Sequence, residues 1–281
     1  MTNIRTRLTH AGILALALAL ITAAAPAPRG NAATVSPSGA QRTTRIPTEV
    51  VNVSLFDDMH ISLDRTSVPA GYVTFLVTNG GAGTHEFVVL RTDTPADALP
   101  ANTELPSKAL EDIHMGETGD MPAHVYSGLT LALGAGHYVV LCNEPGHYMA
   151  GMRADFTVTP TVIDVSLADN MSISLSQSVI FAGPVVFAVS NNGAITHELV
   201  ILNTNAPADQ IPADPDEIGK VSEQTNIGET GDIPAGRFSG IGITLGPGLY
   251  TVICNEPGHF MAGMHFQLLV LAYPGSDEPT Q

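Results

Sequence analysis

The stretch Leu141–Met152, Leu-Cys-Asn-Glu-Pro-Gly-His-Tyr-Met-Ala-Gly-Met, returns as Ile253–Met264 with ten of its twelve positions unchanged. The offset of 112 residues also relates His85, in Thr-His-Glu-Phe-Val-Val-Leu, to His197, in Thr-His-Glu-Leu-Val-Ile-Leu. It relates Gly-Glu-Thr-Gly-Asp-Met-Pro from Gly116 to Gly-Glu-Thr-Gly-Asp-Ile-Pro from Gly228 as well. No net insertion separates the copies between these landmarks. A period this long exceeds the roughly 20–50 residues of solenoid units and has the size of a whole domain. The chain is therefore expected to fold twice in the same way, and whatever chemistry the shared loop carries is carried twice.

The N-terminus reads differently from the rest. Arg5 and Arg7 precede a short Leu- and Ala-rich core, Gly12 to Ala25, and Asn31-Ala32-Ala33 has the small residues of a cleavage site. That is the layout of a secretory signal peptide over residues 1–33, with a core shorter than the roughly 20 residues of a membrane helix; an uncleaved anchor is the other reading. Residues 34–48 read as a linker, 49–159 and 160–273 as two domains, and 274–281 as a tail. The 27 acidic residues against 11 basic ones, three of which are in the leader, exclude nucleic acid and anionic membrane as expected partners. The same charge would steer a cationic partner, although it also simply keeps an exported protein in solution.

Short alternating apolar runs broken by Gly, Pro, Asn and Asp predict an antiparallel β sandwich or barrel in each copy. Val51–Leu55 and Ile163–Leu167 alternate cleanly. Tyr72 to Val77 and Val185 to Val189 read as strands ending at Asn-Gly turn signals. Phe87 to Leu90 and Leu199 to Leu202 follow His85 and His197, and Tyr138 to Cys142 and Tyr250 to Cys254 lead into the shared loop. A short helix is expected around Lys108 to Ile113. Thr157-Val158-Thr159-Pro160 joins the copies with almost no slack, so the two barrels should touch.

The loop brings a thiol, an imidazole and a thioether together, and such soft and borderline ligands suit copper. Glu144-Pro145-Gly146-His147 has the Pro and Gly placement of a tight turn, which folds Cys142 and His147 toward one point. Gly151 gives the backbone room to bring Met152 beneath them. A further arm, His85, comes from a separate strand. The two cysteines of the chain occupy equivalent places in the copies. A disulfide between them would need the loops to meet and would leave the His and Met spacing without a reason, so metal is the expected use.

Cys-x4-His-x4-Met after a Gly-x-Tyr-x-x-x-Cys strand resembles the cupredoxin family, with the loop spacing of its rusticyanin and sulfocyanin members. The resemblance spans roughly residues 49 to 273 and occurs twice. It implies an all-β chain of two tandem Greek-key β-sandwich domains, of about eight strands each, behind the signal peptide. It implies one type 1 copper per domain, held by His85, Cys142, His147 and Met152 in the first, and by His197, Cys254, His259 and Met264 in the second. Met149 and Met261 also recur and are read as surface or packing residues. Glu86 and Glu198 depart from the neutral residue many relatives carry after the first histidine. They are read either as supports of the loop, beside Asn143 and Asn255, or as solvated surface carboxylates. His60, His114, His124 and His137 have no histidine opposite them in the second copy and are read as ordinary surface or core residues.

The function implied is electron carriage outside the cytoplasm, periplasmic or at the cell surface, with a redox partner protein such as a cationic cytochrome or an oxidase. A copper oxidoreductase of the nitrite reductase or small multicopper oxidase kind is the alternative. Against it, no His-x-His pair is present, and the neighbours of Cys142 and Cys254 are Leu141, Asn143, Ile253 and Asn255. Copper storage or delivery is the third reading, disfavoured by closed ligand sets.

Overall fold

The computed structural model describes residues 46, 48–111 and 114–274. The segment read as a signal peptide, nearly all of the linker and residues 275–281 lie outside the described residues. The described chain is all β, with one short 3₁₀ turn at Ala208–Gln210. In the first copy the strands are β1 (Thr48–Phe56), β2 (His60–Leu63), β3 (Ser67–Pro69), β4 (Gly71–Asn79), β5 (Val88–Arg91), β6 (His114–Glu117), β7 (Tyr126–Leu133), β8 (Gly136–Leu141) and β9 (Arg153–Thr159). The second copy repeats them as β10 (Thr161–Ala168), β11 (Ser172–Leu175), β12 (Val179–Phe181), β13 (Gly183–Asn191), β14 (Val200–Leu202), β15 (Asn226–Glu229), β16 (Phe238–Leu245), β17 (Gly248–Ile253) and β18 (His265–Leu271).

Each copy builds a four-stranded and a five-stranded sheet, in the orders β2-β1-β4-β7 and β3-β9-β8-β5-β6, then β11-β10-β13-β16 and β12-β18-β17-β14-β15. Alternation decides which side chains enter the core: Val51, Val53 and Leu55 of β1 and Val73, Phe75 and Val77 of β4 all point inward. From the other sheet Tyr138, Val140, Phe156 and Val158 meet them, and Cys142 belongs to the same buried cluster. Phe75 packs against Phe87 and Phe156 at ring separations of 5.2 and 5.4 Å.

The sheets are mixed rather than purely antiparallel. β1 pairs β4 and β3 pairs β9 in parallel, as do β10 with β13 and β12 with β18. After the β1–β2 hairpin the chain crosses to the other sheet for β3. It returns along the free side of β1 as β4, and that return sets the direction. β5 and β8 are buried on both faces, because Ala96, Ala109 and Tyr148 cover their outer side chains Val88, Leu90, Val139 and Leu141. Their near-continuous apolar sequence follows from that double burial.

The helix expected from Lys108 does not form through residue 111. Ala109 instead makes an isolated bridge with Ala101. The side-chain amide of Asn143 takes both backbone groups of Ala109, accepting from its N–H at 2.7 Å and donating to its carbonyl at 3.0 Å. Those are the groups a helix would have used. The Asn-Gly pairs are not hairpin turns either, since β4 and β5 lie in different sheets. Asn79 is buried and donates to the carbonyls of Gly83, Met121 and Pro122 while accepting from Gly81 N–H, which ties down the loop that carries His85. Asn191 does the same around His197.

Only Pro160 separates β9 from β10, and the copies touch as their tight joint requires. Phe181 meets Tyr72 edge-on at 5.1 Å and stacks on Tyr273 at 4.6 Å, while the Tyr273 hydroxyl donates to the Leu133 carbonyl. Burial pushes the Tyr273 phenol up to about 12. Replacing Phe181 by Ala should cost about 3 kcal/mol, read as a lowered denaturant midpoint.

Candidate metal centres

Cys142 directly follows β8, and its chain position is held from both sides. Its N–H donates to the Met152 carbonyl at 3.0 Å, and Met152 N–H donates to the His147 carbonyl at 3.0 Å. Between them Glu144–His147 forms a turn closed by His147 N–H to Glu144 carbonyl at 3.0 Å, with Gly146 at φ 88°. Pro at the second position and a positive φ at the third define a type II turn. Gly151, at φ 112°, then lets the chain double back. Cys254, Glu256–His259, Gly258, Gly263 and Met264 repeat the arrangement.

Three donor atoms converge in each copy. His147 Nδ1 lies 3.3 Å from Cys142 Sγ and 3.3 Å from His85 Nδ1, and His85 Nδ1 lies 3.9 Å from the sulfur. In the second copy the corresponding distances are 3.3, 3.3 and 3.8 Å among His259, Cys254 and His197. The point equidistant from such a triangle is about 2 Å from each corner, the length of a metal–imidazole bond. Met152 and Met264 are fully buried in the same clusters as the two thiols, whereas Met149 and Met261 are 62% and 72% exposed.

The first histidine has its proton assigned by a neighbour absent from the sequence reading. Asp57 Oδ1 stands 3.1 Å from His85 Nε2, and Asp169 Oδ1 stands 3.1 Å from His197 Nε2. The Asp57 carboxyl is held below its ordinary range, chiefly by the backbone N–H groups of Ala82 and Gly83 and then by His85. An ionised carboxylate only accepts, so Nε2 carries the hydrogen and Nδ1 turns a lone pair toward the sulfur. His147 is shifted down by burial and by His85, which favours its neutral form. Burial pushes the Cys142 and Cys254 thiols up to about 11. Two imidazole lone pairs and a desolvated thiol facing one point fit a soft or borderline cation. The recurrence of Asp57 and Asp169 at the common offset was the sequence signal that would have found them.

The glutamates after the first histidines are buried, not solvated. Glu86 and Glu198 each give a backbone N–H to the cysteine sulfur at 3.4 Å. Glu198 Oε1 accepts from Asn255 N–H, supporting the loop, while Glu86 Oε1 is buried without a partner. Asn143 and Asn255 bind the cysteine loops to Ala109 and Val221 respectively.

No family model matches this chain, and no curated protein matches it. Among solved structures, it is similar to auracyanin from Roseiflexus castenholzii at 22% identity and TM-score 0.32, covering 40% of this chain and 97% of that one. A reduced rusticyanin is 26% identical at TM-score 0.32, over 40% of this chain and 79% of that one. Auracyanin A, a "blue" copper protein of Chloroflexus aurantiacus, is 21% identical at TM-score 0.31, over 40% and 98%. Among the described residues no helix is long and apolar enough to cross a membrane.

Burial pushes Glu86 and Glu198 up to about 7 from an ordinary 4.5. A carboxyl that holds its proton more tightly when folded adds stability only while protonated. The metal-free chain should therefore lose up to about 3 kcal/mol per copy as pH climbs from 4.5 to beyond 7. Urea unfolding at pH 5 and pH 8 reads this, and Glu86→Gln with Glu198→Gln should flatten the difference.

Proposed function

We propose that the chain is a tandem cupredoxin with two domains, residues 49–159 and 160–273, that carries electrons through one type 1 copper in each. The observation that carries this reading is the twice-built triangle of two imidazole nitrogens and one thiol sulfur, next to a buried methionine. His85, Cys142, His147 and Met152 would hold the first ion, and His197, Cys254, His259 and Met264 the second. Copper bound there supplies a one-electron Cu(II)/Cu(I) couple.

The chain's own residues set the conditions for that couple. Asp57 and Asp169 orient His85 and His197, and their charge favours the higher oxidation state. The thiol, pushed up to about 11, must give up its proton, so loading is proton-coupled. Backbone N–H groups at 3.4 Å receive the charge the thiolate then bears. Sheets packed on both sides hold the ligand strands still, which limits rearrangement between oxidation states.

A closed ligand set leaves no position for a substrate, which favours carriage over catalysis. His147 and His259 are the half-exposed members, flanked by exposed Met149 and Met261. We assign docking of a redox partner to those edges, and the excess of acidic residues favours a cationic one. We also place the mature chain outside the cytoplasm, after removal of residues 1–33.

Visible and electron paramagnetic resonance spectra of the copper-loaded protein, with a copper count, test the proposal. Two ions per chain and an intense thiolate-to-copper band are expected, and a colourless loaded protein would refute it. Cys142→Ser should leave one copper and about half of the band, because each thiolate contributes separately. Asp57→Asn should raise the potential of the first centre alone, since it removes a negative charge that favours Cu(II); a redox titration reads it.

A further inference from the structure

We propose that the first copy carries an additional, solvent-facing site for a zinc-like divalent cation, made by Glu111, His114 and Glu117. One donor atom from each lies within 4.8 Å of the other two. This site goes beyond the electron-carrying centres and shares no ligand with them.

A local irregularity of the backbone builds it. β6 pairs with β5 as Val88 with Glu117, Val89 with Gly116 and Leu90 with His114, so Met115 is an extra residue. In a regular strand residues three apart point to opposite faces. A bulge shifts that parity by one and re-aims the side chains. His114 and Glu117 therefore share a face, with His114 Nε2 3.5 Å from Glu117 Oε2. Glu111 reaches them from the preceding segment, held by an Asn143 amide donor on its Oε1.

The second copy supplies an internal comparison. It has the same bulge, between Ile201 and Leu202, and the same two carboxylates, Glu223 and Glu229. The residue between them there is Asn226, whose Nδ2 donates to Glu223 Oε2 at 3.0 Å and to Glu229 Oε2 at 2.9 Å. One amide nitrogen thus supplies a hydrogen to each carboxylate. Asn255 gives Glu223 its remaining partner, so that cluster is complete.

At the matching place the first copy has an imidazole in the amide's stead. A histidine serves two carboxylates as a donor only when both ring nitrogens carry hydrogen; with one N–H and one lone pair it has an acceptor left over that the amide nitrogen lacks. It can instead join them as a ligand. One imidazole nitrogen with two carboxylate oxygens is a set for zinc, or for another borderline divalent ion. It is not a calcium set, which would be all oxygen. Asn143, by gripping Glu111, supplies the orienting hydrogen bond that such carboxylate ligands commonly have.

The test uses the full chain with its copper centres loaded, titrated with zinc chloride at fixed ionic strength and followed by calorimetry and metal counting. The wild type should take up one zinc per chain, His114→Asn should weaken that binding at least tenfold, and Asn226→His should add a second equivalent. Both substitutions exchange residues that the same backbone already accommodates in the other copy. The difference between the variants stands whether or not the Cys142 and Cys254 centres take copper. Equal zinc uptake by the wild type and His114→Asn would mean only diffuse attraction to an acidic surface and would overturn the site. So would a wild type that binds no zinc.

Discussion

Everything in this molecule is arranged around a thiol that has been taken out of water. Cys142 and Cys254 stand at the ends of central strands, fully buried among Val, Phe and Met side chains. An isolated thiolate there is so unfavourable that the proton is held far beyond neutral pH. Its hydrogen-bonding company is two imidazole nitrogens and two backbone N–H groups, from the residue after the first histidine and the one two after the cysteine. Such a sulfur is inert until a cation replaces its proton, and the surrounding strands leave it no other place to go.

The scaffold that imposes this is held by buried amides as much as by the apolar core. Asn79 and Asn191 bind the loops before the first histidines, and Asn143 and Asn255 bind the cysteine loops to the segment crossing the outer sheet face. Each satisfies backbone groups that would otherwise be buried without partners, which is why polar side chains persist inside an apolar sandwich. The carboxylates of Asp57 and Asp169 complete the set from outside, each gripping two backbone N–H groups and one histidine.

Duplication makes the two halves controls for one another. Left-handed backbone at His124, φ 59°, is matched by Gly236, φ 67°, so the same turn accepts either residue. Tyr148 anchors Ala96 and Leu99 through its hydroxyl, whereas Phe260 covers the equivalent surface by packing alone. Glu198 finds a loop N–H and Glu86 does not. The copies therefore share a frame but not their polar surroundings.

The repeat, the all-β class and the turn that folds His147 back toward Cys142 were legible in the chain, because turn residues and alternation are local signals; the place of His85, 57 residues from Cys142, was an expectation from the family resemblance alone. The parallel pairing of β1 with β4 was not, because it follows from a strand exchanged between sheets. Neither was the missing helix at Lys108, where a side-chain amide 34 residues away outcompetes local hydrogen bonds, nor the burial of Glu86. Sequence alone determined which residues recur at fixed spacing, since spacing is a covalent property. Tertiary structure decided which nitrogen of each histidine faces the sulfur and how far water stays from the thiol. Those depend on groups that meet only when distant strands pack.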